Sequence, residues 1–366
     1  MGPPPLYRKT MQKMLSLIAS FLLLAACGEK TPEPVPAAPE ISFACAEMTL
    51  DPQGGETTVR VSATAAWTVT TDGQEWFALA SPEQIFKGES LLKVSAQPNL
   101  GGDARQGELR FTSGGHSATL VVRQEPCSFV PEGYRMVWHD EFSGASSELA
   151  TKWRFEDWAP GRVNHELQRY TPDDRRTSYV EDGALHIVAR KEGNQVISAR
   201  MNTRGSWLYG YMEAAIWLPE GKGTWPAFWM MPDDMSRGWP ACGEIDIMEE
   251  VGVHANYTSS SIHCQAYNHV KGTQKTAERL TAGAESGYHV YALEWTADYI
   301  RTYVDGKKLL EFKNDQAGND DTWPFNKKFF ITLNLAWGGD WGGMSGVDES
   351  ALPCTMRVDY VRVYQK

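Results

Sequence analysis

The sequence predicts an all-β protein made of two sandwiches, a small one followed by a large jelly roll, and three observations carry that prediction. Short runs with a period of two recur from Ile41 to Tyr364, Gly- and Asp-rich turns separate them, and no stretch shows a long amphipathic helical period. At 366 residues the chain exceeds the usual size of one domain, so two folded units plus appendages are expected.

The first element is an export signal over residues 1–27. Lys13 precedes an apolar run from Met14 to Ala26 that is too short to span a bilayer as a helix. The run ends in Leu24-Ala25-Ala26-Cys27, which resembles the lipobox of bacterial lipoproteins and implies lipidation of Cys27. Such a protein is anchored to a membrane without spanning it, and the outer membrane is the expected location. Residues 28–40 carry four prolines and no apolar periodicity, so an extended spacer is expected there. Cys45, Cys127, Cys242, Cys264 and Cys354 follow, five thiols that cannot all pair. Buried single thiols and one or two disulfides both remain open in an exported chain.

The second element, residues 41–126, alternates in short runs: Val59 and Val61, Trp67 and Val69, Leu92 and Val94, Leu109 and Phe111, Leu120 and Val122. That pattern predicts a small β-sandwich. Ala66-Trp67-Thr68-Val69, the later Trp76 and the closing Leu120–Gln124 resemble the immunoglobulin-like module called BACON. The absence of clustered exposed aromatics favours a spacer over a glycan binder.

The third element, residues 134–366, has strand patterns at Gly183–Val188, Tyr209–Leu218, His289–Trp295, Tyr299–Val304, Phe329–Leu335 and Met356–Tyr364. Asp305-Gly306 signals a hairpin. So many strands in one unit are most economically two large antiparallel sheets, with a cleft across one of them. A net charge of −11 argues against nucleic acid, which selects clustered Lys and Arg, and favours a neutral polymer. Fourteen Trp supply flat apolar faces, most for the core and a few for sugar rings.

The chemistry is concentrated in Gly243-Glu244-Ile245-Asp246-Ile247-Met248-Glu249. With a period of two, Glu244 and Asp246 share a face and Ile245 and Ile247 point to the core, but Glu249 has the wrong parity. A β-bulge near Met248 restores it. Three carboxyls on one face of one strand are electrostatically unfavourable without a compensating role. Glycosidic hydrolysis with retention supplies that role, since it needs one carboxylate to attack the anomeric carbon and one carboxylic acid to protonate the leaving oxygen.

Glu244–Glu249 resembles the E-x-D-x-x-E signature of glycoside hydrolase family 16 in its bulged, laminarinase-like form, and the resemblance extends over Val137–Tyr364. It implies a concanavalin A-like jelly roll, with Glu244 as nucleophile, Asp246 as its assistant and Glu249 as acid/base. Val137–Phe142 resembles the opening strand, Asn164–Gln168 the family's N-x-E-L-Q segment, Ser198-Ala199-Arg200 its S-A-R strand, Gly223–Met230 its cleft-lining segment and Val358–Tyr364 its last strand. From these the resemblance implies sugar contacts from Asn164 and Glu166 on the non-reducing side, with Arg200 facing the cleft. Trp225 and Trp229, four apart, share a strand face and are candidate stacking platforms. His263 is expected within reach of Glu249, and Asp340 and Trp341 on the leaving-group side. Trp337 and Trp341 are more aromatic than is usual in the family. Family relatives often hold a structural Ca²⁺; Glu141, Gly183 and Asp359 are the matching positions, and hard oxygen donors suit that ion. No cofactor is expected for catalysis.

The expected activity is endo-hydrolysis of a β-1,3- or mixed β-1,3/1,4-glucan by a monomer, with an optimum below neutral pH. Another family substrate, such as a red-algal galactan, and a non-catalytic glycan-binding role are the alternatives. The first lacks a sulfate-binding basic cluster, and the second has no use for paired acids.

Overall fold

The computed structural model describes residues 40–366 except Ala44 and Glu83, so the expected signal, Cys27 and most of the spacer lie outside the described residues. No helix among the described residues is long and apolar enough to cross a membrane.

Between Ile41 and Gln124 the alternating runs form two four-stranded sheets. One orders Ile41–Phe43, Gly55–Ala63, Glu89–Ala96 and Phe77–Leu79; the other Glu47–Leu50, His116–Gln124, Arg105–Ser113 and Trp67–Thr71. Their inner faces close on a core that contains Val61, Trp67, Val94, Leu109, Phe111 and Val122. Period-two alternation puts these side chains on one side, and each one fully buried contributes roughly 1.5–3 kcal/mol against a large entropy cost.

From Arg135 onward the chain builds a seven-stranded and a ten-stranded sheet. The seven-stranded sheet is antiparallel throughout and runs Trp153–Phe155, Arg200–Thr203, Phe329–Trp337, Thr224–Pro232, Glu244–Glu249, Tyr257–His263, Lys275–Leu280. The ten-stranded sheet centres on Cys354–Gln365, flanked by Ala184–Glu192 and Gly210–Trp217, and continues to His289–Trp295, Tyr299–Val304 and Lys307–Lys313. Phe228, Met230, Ile245, Ile262, Leu333 and Leu335 of the first sheet pack with Met212, Ala214, Ile216, Leu293, Val358 and Val361 of the second in one core. This is the expected jelly-roll sandwich. Asp305 and Gly306 both take positive φ, 50° and 71°, as a two-residue hairpin matched to strand twist requires.

The small unit docks on the ten-stranded sheet. Leu100 packs against Ala215, Val290 and Tyr360, and the Gly102 N–H donates to Asp359 Oδ2 at 2.5 Å. A Cβ on Gly102 would sit 3.0 Å from the Tyr360 ring and 3.2 Å from the Arg362 and Asp359 side chains, so any larger residue would press on this contact. All five described cysteines are free thiols, four of them buried, so neither disulfide alternative is realised.

Candidate active site

The strand Glu244–Glu249 lies between Thr224–Pro232 and Tyr257–His263, and it breaks register with both. Phe228 pairs with Met248 and Trp229 with Asp246, so Ile247 has no partner on that side. On the other side Asp246 pairs with Ser261 and Glu249 with Ser259, leaving Ile247 and Met248 opposite Ser260 alone. The bulge therefore falls at Ile247–Met248. Its surplus carbonyl is satisfied: Ser260 Oγ donates to Ile247 O at 2.7 Å. Ile245, Ile247 and Met248 are fully buried in the core, whereas Glu244 and Glu249 are only partly buried and look into the cleft.

Burial pushes all three carboxyls up. Desolvation raises Glu244 to about 8, with the neighbouring Asp246 adding to it and His263 opposing. Desolvation likewise raises Glu249 to about 8, with Asp246 adding to it, while His263 and the hydrogen bond from Trp225 pull it back. Asp246 is driven well above the usual carboxylate range by burial alone. A trio of this kind retains protons at neutral pH, so one carboxyl can donate a proton while another is ionised.

The neighbouring side chains form three groups. Trp225 Nε1 donates to Glu249 Oε1 at 3.1 Å, and its ring meets Trp341 edge-on at 5.5 Å. His263 Nε2 lies 3.3 Å from Asp246 Oδ2 and 4.0 Å from Glu244 Oε1. On the far side the Arg200 guanidinium is held between two ring faces, 4.2 Å from Trp158 and 4.5 Å from Trp229.

A hydrogen-bond chain ties that last group together. Trp229 Nε1 donates to Asn334 Oδ1 at 2.7 Å, Asn334 Nδ2 donates to Tyr170 Oη at 3.2 Å, and Tyr170 Oη–H donates to Glu166 Oε2 at 3.2 Å. Gln168 and Asn164 amides complete the shell of Glu166 at 2.7 and 3.3 Å. Burial raises the Glu166 carboxyl and these donors hold it back. Asn164 and His165 both adopt positive φ, 47° and 49°, a strained pair that turns Glu166 inward.

Several expectations need correction. His263 faces Glu244, not Glu249: the antiparallel return brings the end of its strand opposite the start of the catalytic one, and Ser259 takes the place opposite Glu249. Asp340 does not stand apart from Asn164. Its N–H donates to Asn164 O at 2.8 Å and its carboxylate contacts His165 Nδ1 at 2.9 Å, so the segment expected on the leaving-group side joins the one expected on the non-reducing side. Trp337 is fully buried in the core and offers the cleft no ring, whereas Trp341 is partly exposed.

Among the described residues one side-chain cluster could hold a metal, and a second position is expected from the sequence. Ligand atoms of Glu244, Asp246 and His263 lie within 4.8 Å of one another, but the two acids are ones the sequence assigns to acid–base chemistry. At the expected calcium position Glu141 is gripped by Arg362, and Asp359 Oδ2 is taken by Gly102. The side-chain donors there are therefore largely committed, and an ion would draw on backbone carbonyls, with that of Gly183 at a left-handed turn, φ 76°, among the expected ones.

The sequence reading did not single out Asn334, Tyr170 or Trp158. Asn334 was detectable: with Thr332 it is one of two polar residues, both at the cleft parity, in the run Phe329–Trp337. Trp158 lies outside any named strand and carried no periodic signal.

Comparison with known proteins agrees with this geometry. The chain is 42% identical over 244 residues to a β-glucanase of Rhodothermus marinus, an alignment covering 63% of this chain and 85% of the relative. Among solved structures, the laminarinase of Rhodothermus marinus superposes with a TM-score of 0.62 at 41% identity, covering 63% of this chain and 97% of that one. A non-specific endo-β-1,3(4)-glucanase from family GH16 superposes with a TM-score of 0.62 at 44% identity, covering 66% and 94%. The profile of glycosyl hydrolases family 16 matches residues 166–362, more than half of the sequence and all three acids. On that match and the bulged carboxylate strand it contains, the chain belongs to glycosyl hydrolases family 16.

Proposed function

We propose that this protein is a retaining endo-β-1,3(4)-glucanase, and the observation that carries the reading is the bulge at Ile247–Met248, which gathers Glu244, Asp246 and Glu249 on one cleft face. In the first step the ionised Glu244 carboxylate attacks the anomeric carbon of a β-linked glucosyl unit. The glycosidic bond breaks as Glu249 gives its proton to the departing oxygen, leaving a glycosyl ester on Glu244. In the second step Glu249, now ionised, takes a proton from water, whose oxygen attacks the same carbon and releases Glu244. Two inversions give net retention.

Asp246, between the two and against His263, helps keep their protonation states apart. Trp225 holds the proton-donating carboxyl of Glu249 in place. Trp229, Arg200 and Trp158 form the wall against which non-reducing-side glucosyl units lie, supported by Asn334, Tyr170 and Glu166, with Asn164 at its rim. Trp341 and Asp340 border the opening, and no cofactor takes part in the reaction.

The proposal extends to the flanking parts. Cys27 carries a lipid that anchors the monomeric enzyme to the outer membrane, residues 28–40 form the spacer, and the BACON-like unit positions the catalytic domain. If calcium binds at Glu141, Gly183 and Asp359, it serves folding and not turnover.

The test is chromatographic analysis of products from laminarin, barley mixed-linkage glucan, agarose and carboxymethylcellulose, with wild type and Glu244→Ala. Oligosaccharides from either of the first two with wild type only are the expected result. Cleavage of agarose alone, or of nothing, would overturn the substrate assignment.

A further inference from the structure

In a retaining reaction the nucleophile enters opposite the departing oxygen, so the line from Glu244 through the reacting carbon runs towards Glu249 and beyond it. The leaving-group half of the polymer is thereby directed onto the part of the sheet past Glu249. Ser259 is paired with Glu249, and on the edge strand Glu278 is paired with Ser259 and Leu280 with Tyr257. Paired residues of antiparallel strands share a face, so Tyr257, Glu278 and Leu280 stand on the cleft side.

Burial agrees with that parity. Along Lys275–Leu280 the cleft-side residues Thr276, Glu278 and Leu280 are exposed, while Ala277 and Arg279 turn inward. Tyr257 and Leu280 are 44% and 57% exposed, an apolar pair side by side where an edge strand is ordinarily blunted by charge. At ~4.8 Å between strands and ~3.3 Å per residue, Tyr257 lies roughly 8 Å from Glu249, within reach of the sugar units next to the cleaved bond.

The surface there is concave. A recess of ≈ 440 Å³ is lined by Val253, His254, Ala255, Tyr257 and Glu278. The His254 ring meets Tyr257 edge-on, with centroids 6.5 Å apart, and props its face. An aromatic face beside a carboxylate suits a pyranose, whose C–H face packs on the ring while its hydroxyls donate to the acid. Continuity with the catalytic face, through Ser259, decides the occupant.

We propose that His254, Tyr257 and Glu278 form a subsite for glucosyl units on the leaving-group side of the cleavage point, an inference that rests on the endo-glucanase reading. The experiment compares kcat/KM for laminarihexaose with kcat/KM for a nitrophenyl β-laminaribioside, whose aryl leaving group replaces the sugars of this subsite. Tyr257→Ala should lower the hexaose-to-aryl ratio about tenfold, mainly through KM, and Glu278→Gln about threefold. Tyr257→Phe, which keeps the ring, should retain most of the ratio. An unchanged ratio in Tyr257→Ala, with wild type active on both substrates, would overturn the subsite alone. Wild type inactive on both would overturn the glucanase reading and the subsite with it.

Discussion

Beside the ten-stranded sheet Glu141 accepts two hydrogen bonds from Arg362, at 2.9 and 2.7 Å, while on the seven-stranded sheet Glu244, Asp246 and Glu249 share one strand with no arginine or lysine among the described residues bonded to any of them. The carboxyl groups respond in opposite directions. Although burial works against it, Glu141 is held below the usual carboxylate range by Arg362, and Glu311, with Lys308 and Arg301 around it, is held down to about 2. The cleft acids are all raised. Where cations grip an acid, as at Glu141 and Glu311, it gives up its proton; the cleft acids, packed beside one another, are left to share theirs.

Breaking the cleft side should have the largest effect. Glu244→Ala is expected to lower laminarin hydrolysis roughly ten-thousandfold, since no attacking group remains. Azide should restore cleavage of an activated glycoside in this variant and give the α-glycosyl azide by a single inversion, which NMR of the product would reveal. A β-product would instead mean that Glu244 is not the nucleophile.

The pH profile sharpens the comparison. The proposed mechanism needs Glu244 ionised and Glu249 protonated, and burial raises both groups to about 8. The acid limb therefore lies above the range of ordinary carboxylates, and the alkaline limb should fall near pH 8 as Glu249 loses its proton. This moves the optimum upward from the acidic one that unperturbed carboxyls suggest. Rates measured from pH 4 to 10 would decide it, and an optimum below 5 would contradict the raised values. Asp246→Asn, which takes away the titrating neighbour that raises both glutamates, should lower turnover by about ten- to a hundredfold and shift both limbs down.

Stability should respond with opposite signs on the two sheets. Removing the Arg362 partner in Glu141→Ala is expected to cost about 1–2 kcal/mol at pH 7, allowing for its exposed side. Because Glu141 is lowered in the folded state, that contribution is present above the unfolded value near 4.3 and is lost as pH falls through the folded one. Glu249 is raised, so the folded protein binds its proton more tightly than the unfolded chain does. Its penalty therefore grows as pH rises from about 4.3 to about 8. Glu249→Gln should accordingly stabilise the protein by about 1 kcal/mol at pH 8 and little at pH 4, as read from thermal unfolding at the two values. The smallest effect is expected for Trp225→Phe: loss of the Nε1 bond should raise Glu249 and move the alkaline limb up slightly, with a few-fold change in rate.

Much of this contrast was legible before the fold was known. Strand parity alone placed Glu244 and Asp246 together and required a bulge to bring Glu249 beside them, and the structure puts that bulge at Ile247–Met248. The alternating residues of the small unit, from Val59 to Val122, all lie in its core for the same reason. What escaped depends on register between distant segments. His263 faces Glu244 because of where the next strand returns, and Asp340 reaches Asn164 across a loop, contacts no local period encodes. Trp337 shows the limit from the other side: an aromatic next to a loop carries the same letter whether it stacks on sugar or fills the core.

The bulge also determines where the gene can lose a codon. Without Met248 the strand would alternate strictly, Glu244, Asp246 and the final glutamate would still share a side, and the core would forfeit one side chain. Without Ile245 the aspartate would turn into the core and the order of the acids would be lost. A three-base deletion is thus tolerable at one point of this strand and ruinous three residues earlier, although both lost residues are fully buried in the core.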